Sequence, residues 1–368
     1  MTTSNDPLDH ACALHDRSMD AREEGRFTDA LAPALEALAL FEEHEGPEHP
    51  DVANVLNNLG TVLAELARYD EAETYLRRSV DIMEALGSGH GPAIEMIRGQ
   101  SMRALGDLYR MMGRYRDAER LLRSSLELVE REMGDDVGEL SSALNNLAIV
   151  YKYTGEFDRA EELYQRALAM LSERFGEESV DVATIYHNLG GLEHSRGTFA
   201  KGEPFARKAV DIRRAALGDD HPAVAADMAA LAGILQELDR TDEAVDLYRR
   251  ALATFERTFG DEHYETAVNL NNLAAIHHSR DEVVDAERCY TRALEIKEKI
   301  LGPMHPDVGL TLNNIGVFYA SLGDVERAAE SYRRALAIFE ATLDEGHPKL
   351  EVCRRNFADL VDDRAAGA

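Results

Sequence analysis

Residues 56–79 read LNNLGTVLAELARYDEAETYLRRS, and their apolar positions follow the spacing of two amphipathic helices with a break near Ala67. Two adjacent asparagines lie inside the first of these helices. Asn is a mediocre helix former, because its amide competes locally for backbone hydrogen bonds. The pair recurs as Asn145-Asn146, Asn271-Asn272 and Asn313-Asn314, with the variants His187-Asn188 and Arg355-Asn356. The reason for this recurrence must therefore lie in the organisation of the whole chain.

The apolar residue that follows each Asn pair marks a repeat, and we call it the alignment residue. Alignment residues are 42 positions apart at every step except the first, which is 46. They are Leu59, Leu105, Leu147, Leu189, Leu231, Leu273, Ile315 and Phe357. Each unit contains two apolar segments of helical spacing, which predicts a helical hairpin. A fixed period of this length is typical of a solenoid.

Small residues recur on the second helix of each predicted hairpin, 13 positions after the alignment residue. A second small residue follows seven positions later. Small side chains at this spacing let neighbouring helices approach closely, while larger residues between them fill the gap. The first set comprises Ala72, Ala118, Ala160, Gly202, Ala244, Ala286 and Ala328.

The connections between hairpins also repeat, as in GPEHPDVA, LGDDHPAVA and LGPMHPDVG. Gly after the last apolar residue suits a left-handed cap, and Pro followed by Asp suits the first turn of the next helix. Six of the thirteen histidines are therefore predicted to be linker residues rather than metal ligands. They are His49, His90, His221, His263, His305 and His347.

The combined pattern resembles the tetratricopeptide repeats of the kinesin light chain family over roughly residues 7–364. It consists of L-N-N-L-A, then Y-x-x-A-E-x-L-Y-x-R-A-L-x-I, then L-G-x-x-H-P-D-V-A. The heptad coiled coil of that family is not found in this sequence. The resemblance implies an all-α fold, a right-handed superhelical solenoid of antiparallel helix pairs with a capping helix at its C-terminus. Its first helices would line a concave groove that binds extended peptides.

The repeat also predicts the boundaries. We expect residues 1–6 to be disordered, residues 7–348 to form eight helix pairs, residues 349–364 to form the capping helix and residues 365–368 to be a tail. The four extra residues of the long interval lie near 86–92, where Gly indicates a flexible joint or a tolerated surface insertion. Pro204 is acceptable only in a first turn, so its helix should start late or kink.

In the resembling arrays, the residue before each alignment position is an Asn that contacts the bound peptide. An amide offers donors and an acceptor that match an extended backbone without reading its sequence. The alternative is that these amides bond to the adjacent repeat and set the superhelix, and the two roles are compatible. By residue match the role falls to Asn58, Asn146, Asn188, Asn272, Asn314 and Asn356.

The other groove positions of the resembling arrays collect basic side chains in this otherwise acidic chain. A neutral-to-basic groove suits an anionic peptide or a C-terminal carboxylate. The competing interpretation is that these charges pair with acids on neighbouring helices. The predicted contact set on these positions comprises Arg103, Arg110, Asn145, Lys152, His187, His194, Asn271, His278 and Asn313, with Tyr153 as an adjacent apolar contact.

Composition narrows the classes of partner. The chain carries 69 acidic and 40 basic residues, a net charge of −29, which argues against a nucleic-acid or anionic-membrane surface. Its cysteines, Cys12, Cys289 and Cys353, show no metal or disulfide spacing, which favours a reducing cytoplasm. We expect no export signal, no membrane span and no cofactor or metal. A monomer or a weak homo-oligomer is the expected state.

The sequence favours a binding protein over an enzyme. It contains no GxSxG, Walker, HExxH or dinucleotide-binding motif. The predicted function is a non-catalytic peptide- or protein-binding adaptor or scaffold that holds an extended, anionic peptide in the groove. The alternative is an enzyme or a small-molecule or metal receptor that uses His187, His194 and His278 as ligands or as acid and base. No catalytic residue is assigned.

Overall fold

The computed structural model describes residues 6–87, 89–132, 134 and 136–366, without the side chains of residues 362–366. These residues form seventeen α-helices and no strand, so the predicted all-α array of helix pairs is confirmed. The predicted disordered N-terminus and C-terminal tail fall largely outside the described residues. The helices are α1 (Pro7–Glu23), α2 (Phe27–His44), α3 (Pro50–Glu65), α4 (Tyr69–Leu86), α5 (Pro92–Met111), α6 (Tyr115–Glu132), α7 (Val137–Thr154), α8 (Phe157–Phe175), α9 (Val180–Arg196), α10 (Phe199–Leu217), α11 (Pro222–Glu237), α12 (Thr241–Phe259), α13 (Tyr264–Ser279), α14 (Val283–Leu301), α15 (Pro306–Ser321), α16 (Val325–Thr342) and α17 (Pro348–Ala366).

From α1 to α16, odd-numbered helices are the first helices of the pairs and even-numbered helices are the second helices. Small residues bring the two helices of a pair into close contact. A Cβ built on Gly60 of α3 would lie 2.4 Å from Cγ of Leu76 in α4. In the last pair, a Cβ on Gly316 would lie 2.5 Å from Cε1 of Tyr332. Carbon atoms do not approach this closely without a shift, so glycine lets these helices pack at short range.

Seven of the eight pairs turn at a residue with a left-handed backbone conformation, eight positions after the alignment residue, and the first pair, which has no alignment residue, turns at Gly25. The N–H of the next residue donates to the C=O five positions before it, as from Arg68 to Leu63 and from Thr198 to Glu193, both at 2.9 Å. This bond closes a Schellman-type helix cap. The left-handed residue is Gly113, Gly155, Gly197 or Gly323 in four pairs, and Ala67, Asp239 or Asp281 in three others.

Five linker histidines begin first helices or α17 as N-caps. In each, Nδ1 accepts a hydrogen bond from the backbone N–H two residues later, at 3.0–3.3 Å. These histidines satisfy N–H groups that have no partner inside the helix. Ser179 has the same place before α9, where its Oγ accepts from the N–H of Val182 at 3.3 Å. The capping histidines are His49, His221, His263, His305 and His347.

The chain divides into two compact units, residues 1–150 and residues 151–368. In residues 1–150, Ala21, Ala30 and Val62 form an apolar cluster of the first two pairs. In residues 151–368, such clusters recur at every pair from α11 to α16. The last cluster includes Leu350 and Cys353 of α17, which packs against α16. Among the described helices, none is long and apolar enough to cross a membrane.

Helix α10 corrects one expectation. It starts at Phe199, 42 residues after Phe157 of α8 and 42 before Thr241 of α12, so the late start expected from Pro204 is wrong. The turn at Gly197 fixes the start, and Pro204 within the helix, which has no backbone N–H, donates no hydrogen bond to the preceding turn.

The long interval between the first two alignment residues carries positive φ angles at Gly87, Gly89 and Gly91, and α5 begins directly after them at Pro92.

A pH-dependent loss of stability is expected at His347. Burial, together with the charge of Lys349, lowers the pKa of His347 to about 4. Because the unfolded chain then binds the proton more readily, His347 stabilises the fold fully above its ordinary pKa of 6.5 and less as the pH falls toward 4. The difference corresponds to about 3 kcal/mol at most. We expect His347→Asn, which retains a capping acceptor, to flatten the fall in unfolding midpoint over this range.

Thermal unfolding followed by circular dichroism between pH 7 and pH 4 is the measurement. His221→Asn replaces a capping histidine whose side chain is exposed and serves as the matched control. Equal pH slopes for wild type and His347→Asn would show that the protonation of His347 does not limit stability.

Candidate ligand-binding face

We call the side of the first helices on which the contact residues are predicted to lie the first-helix face. On α9, His187, Asn188 and Gly191 are half-buried and His194 is exposed, whereas Leu189 between them is buried. This alternation follows from helical spacing, since residues three or four apart share a side.

In residues 1–150, the first asparagine pair bonds to neighbouring helices. Asn57 and Asn58 of α3 are only 8% and 4% exposed. Nδ2 of Asn57 donates to Oγ of Ser101 in α5 at 3.1 Å, and Nδ2 of Asn58 donates to Oγ of Ser18 in α1 at 2.7 Å. The two bonds join α3 to the first helices on either side of it. These amides therefore hold successive repeats together.

The arginines predicted in residues 1–150 face carboxylates. Nη2 of Arg103 lies 2.7 Å from Oε2 of Glu139 in α7. Nε of Arg110 donates to Oδ1 of Asp107, one turn earlier in α5, at 2.7 Å. The pairing interpretation thus describes both arginines, and their charge is balanced inside the protein.

The second pair of that unit, on α7, is less enclosed. Asn145 and Asn146 are half-buried, and Nδ2 of Asn145 donates to Oδ1 of Asn146 at 3.4 Å. At this length the bond between the two amides is weak.

In residues 151–368, an exposed aromatic ring lies beside a cation at the end of α7. The Tyr153 side chain is 52% exposed, and Nζ of Lys152 lies 5.5 Å from the centroid of its ring. On α9, the His194 ring meets Phe199 edge to face, with 5.3 Å between centroids. Exposed rings next to basic groups provide both apolar contact and positive charge to a ligand.

Amides of α13, α15 and α17 form a ladder with unused hydrogen-bonding capacity. Nδ2 of Asn314 donates to Oδ1 of Asn271 at 3.3 Å, and Nδ2 of Asn356 donates to Oδ1 of Asn313 at 3.1 Å. Asn271, Asn272 and Asn314 are half-buried. Within the described part of the chain, Asn272 makes no side-chain hydrogen bond and Asn271 uses only its carbonyl oxygen. The ladder links repeats and still leaves amide donors and acceptors open.

The three groove histidines have separate surroundings. Nε2 of His278 lies 2.7 Å from Oγ of Ser321, and its ring meets the edge of Phe318 at 5.3 Å. Among the described residues, one group of His, Asp and Glu side chains has its ligand atoms within 4.8 Å of one another, and it contains none of the three groove histidines. The group is His277, Glu282 and Asp285.

A buried ionic cluster that was not predicted from the sequence lies beside His187. Asp227 of α11 has a side chain that is 0% exposed. Its Oδ1 accepts from Nη1 of Arg213 in α10 at 2.6 Å and lies 2.7 Å from Nδ1 of His187. Nη2 of Arg213 donates to Oγ1 of Thr184 at 2.6 Å. An ionised carboxylate only accepts, so neutral His187 carries its proton on Nδ1 and presents a lone pair on Nε2.

The signal for this cluster was a cation at an otherwise apolar position of the repeat. At 24 residues after the alignment residue, two repeats carry Arg213 and Lys297. A cation on a core-facing position requires a buried partner, because an unpaired charge is costly to bury. The remaining repeats carry buried apolar residues there, namely Met83, Val129, Leu171, Phe255 and Phe339.

Lys297 of α14 repeats the arrangement of Arg213. It is buried, and its Nζ donates to Oγ1 of Thr311 at 3.1 Å. Thr311 occupies in α15 the position that Asp227 occupies in α11. Burial lowers the pKa of Lys297, and the nearby Asp307 carboxylate opposes that shift. At this position of the repeat, a cation therefore joins a second helix to the next first helix.

The repeated helix pairs, each closed by a left-handed turn with its Schellman-type helix cap, define a helical-hairpin repeat protein. A family profile described as tetratricopeptide repeat matches residues 9–85, 98–173, 181–257, 226–299, 265–341 and 307–365. A second tetratricopeptide repeat profile matches residues 145–216. The chain belongs to the tetratricopeptide repeat family, and the prediction from the 42-residue pattern is confirmed.

Several solved structures are similar to this chain. A Rap protein complexed with Competence and Sporulation Factor is 14% identical, with a TM-score of 0.58 over 98% of this chain and 100% of that one. The Rap conjugation gene regulator of plasmid pLS20, in complex with the Phr* peptide, is 14% identical, with a TM-score of 0.58 over 90% of this chain and 95% of that one. TPR-like repeats of a kinesin light chain from Podosopora anserina are 20% identical, with a TM-score of 0.47 over 57% and 97%. No curated protein matches the chain.

The Asp227 cluster yields a stability prediction. Asp227→Ala should lower the free energy of unfolding by about 3–5 kcal/mol, because the Arg213 side chain, which is only 11% exposed, would lose its carboxylate partner. Adding Arg213→Phe, the residue type found at Phe255 in the next repeat, should recover most of that loss. Urea unfolding followed by circular dichroism measures both changes.

Arg213→Phe alone completes the double-mutant cycle. Strictly additive losses in the two single variants and the double variant would show that Asp227 and Arg213 do not depend on each other.

Proposed function

We propose that the first-helix face of residues 151–368 binds an extended peptide. The observation that carries the proposal is the set of half-buried amides on α13 and α15 with open donors and acceptors, of which Asn272 is the clearest. An extended peptide has N–H and C=O groups that such amides can satisfy without regard to its sequence. The protein acts as a non-catalytic adaptor or scaffold, and its ligand is part of a protein or peptide partner.

The fold itself supports a peptide ligand. The similar Rap conjugation gene regulator is in complex with the Phr* peptide, so an array of this architecture can hold a peptide. Tetratricopeptide arrays bury the apolar sides of their helices against one another, which leaves the first-helix side chains available for recognition.

The preference for an anionic peptide or a C-terminal carboxylate rests on fewer residues than the sequence predicted. His187 faces Asp227, as Arg103 and Arg110 face their own carboxylates. His194 and His278 lie on the same face, where His194 contacts Phe199 and His278 contacts Ser321 and Phe318. These two histidines and Lys152, which lies beside the Tyr153 ring, supply the basic groups in the proposal, and Tyr153 supplies an apolar contact.

The setting of this activity follows from charge and cysteine content. A net charge of −29 disfavours nucleic acid and anionic membranes as partners. Three cysteines without a disulfide are compatible with the cytoplasm, where we place the protein, as a monomer or a weak homo-oligomer.

The experiment is affinity capture with the full chain from a lysate of the source organism, followed by mass spectrometry, at low and high salt. A synthetic peptide from the captured partner is then titrated by fluorescence anisotropy. Asn188→Ala/Asn272→Ala should weaken binding about tenfold, the loss of roughly 1.4 kcal/mol of hydrogen bonding. Lys152→Ala should weaken binding chiefly at low salt, because screening reduces an exposed charge interaction.

Gln165→Ala removes an exposed amide from the second helix α8 and is the matched control, which should bind like wild type. Unfolding midpoints of all variants should stay close to wild type. A partner captured equally by wild type and by Asn188→Ala/Asn272→Ala would place the binding site elsewhere and contradict the proposal.

A further inference from the structure

Two equivalent cavities recur between second helices in residues 151–368. The first, of about 370 Å³, lies between α12 and α14 above α13. The second, of about 270 Å³, lies between α14 and α16 above α15. With the exception of Asp285, every residue that lines the first cavity has its counterpart 42 positions later in the lining of the second. The repeat therefore produces the same cavity twice with different side chains.

The rims of the two cavities carry opposite charge. Arg249, Arg288 and Arg292 line the first, with Asp285 as its one carboxylate, and we call it the arginine cavity. At the three corresponding positions the second cavity has Thr291, Glu330 and Arg334, and two further glutamates line it. We call it the glutamate cavity. Three arginines therefore line one cavity of a chain whose net charge is −29.

These guanidinium groups are available to a ligand to different degrees. Arg249 is exposed and makes no ion pair with any residue that the structure describes. Arg288 is 72% exposed and lies 2.7 Å from Asp285, one turn earlier on the same helix. Exposed pairs of this kind are worth less than about 1 kcal/mol, so a ligand carboxylate can replace Asp285. Arg292 lies 2.9 Å from Glu256 at the far rim.

The floor of the arginine cavity is apolar except for the buried His277. Leu252, Leu270, Leu273 and Cys289 line it, and the last three are buried. Burial raises the pKa of the Cys289 thiol, which therefore remains neutral and weakly polar near neutral pH. A concave site with an apolar floor and a few converging polar groups has the make-up of a small-molecule site, and its volume lies in the usual range.

We propose that the arginine cavity binds a small amphipathic anion, namely an apolar body that ends in one carboxylate. The apolar body lies on the leucines of the floor, and the carboxylate accepts hydrogen bonds from Arg249 and Arg288. Guanidinium groups suit this role because their planar N–H forks match the two oxygens of a carboxylate. The site is formed mainly by second helices, so it is separate from the first-helix face. The proposal for this cavity is therefore independent of the proposed peptide site.

Decanoate is the probe, titrated into the full chain by isothermal calorimetry below its aggregation concentration. Wild type should bind it saturably at one site per chain. Arg249→Thr/Arg288→Glu gives the arginine cavity the residue types that the glutamate cavity has at the same positions. The repeat therefore already accommodates these two side chains. This variant should bind decanoate at least tenfold more weakly. Glu330→Gln, in the glutamate cavity, is the matched control and should leave the affinity unchanged.

A second measurement needs no variant. Cys289 lies on the cavity floor, whereas Cys353, which is also buried, lies in the core of the last repeat. Decanoate should slow alkylation of Cys289 by iodoacetamide severalfold, as read by peptide mass spectrometry, and leave Cys353 unaffected.

Three results would overturn the proposal. They are equal affinity of decanoate for wild type and Arg249→Thr/Arg288→Glu, binding of the uncharged decanol as tightly as decanoate, and unchanged alkylation of Cys289 at saturating decanoate.

Discussion

The left-handed turn that closes each helix pair is the constraint on which the rest of the structure depends. One backbone hydrogen bond, from the residue after the turn to the carbonyl five positions earlier, recurs from Leu63 to Tyr319. It fixes the angle at which the second helix leaves the first, and close packing at Gly60 and Gly316 fixes their separation. Equivalent positions in successive pairs therefore occupy equivalent environments, and a substitution at one position can be compared with its counterparts.

The recurring asparagines follow from this register. A first helix packs against the next first helix along one line of positions, where a short polar side chain can reach across. Asn57 and Asn58 reach serines on both sides, whereas Asn314 and Asn356 reach amides of the preceding repeat. An amide is suited to this line because one edge can bond to a neighbour while the other remains open. Hydrogen bonds between repeats offset the unfavourable helix propensity of Asn. The amide atoms that remain open can bind a ligand without the loss of these stabilising bonds.

The fold was predictable from the sequence because the 42-residue pattern recurs in many repeats, so that an unusual residue in one repeat does not obscure it. Helix pairs, linker histidines and small contact positions all follow from it. The partners of individual side chains were harder to predict from the sequence, because spacing along one helix does not reveal which side chains of the neighbouring helix contact it. Arg103 sits at a groove position by register, yet Glu139 of α7 neutralises it. Arg213 had a visible signal, a cation among Phe and Leu counterparts, whereas the enclosure of Asn58 by Ser18 had none.

Comparison of repeats within one chain separates what the architecture requires from what a particular site adds. The cavity between second helices arises from the repeat, because it appears again 42 residues later with the same apolar positions. The replacement of Thr and Glu by Arg249 and Arg288 is not required, because the neighbouring pairs fold without it. A chain with 69 acidic residues gains nothing in general solubility from a local group of arginines. A local excess of cations around an apolar floor is instead the pattern expected where an anion binds. The same comparison assigns Arg213 and Lys297, whose polar partners lie on the next first helix, to the joining of repeats.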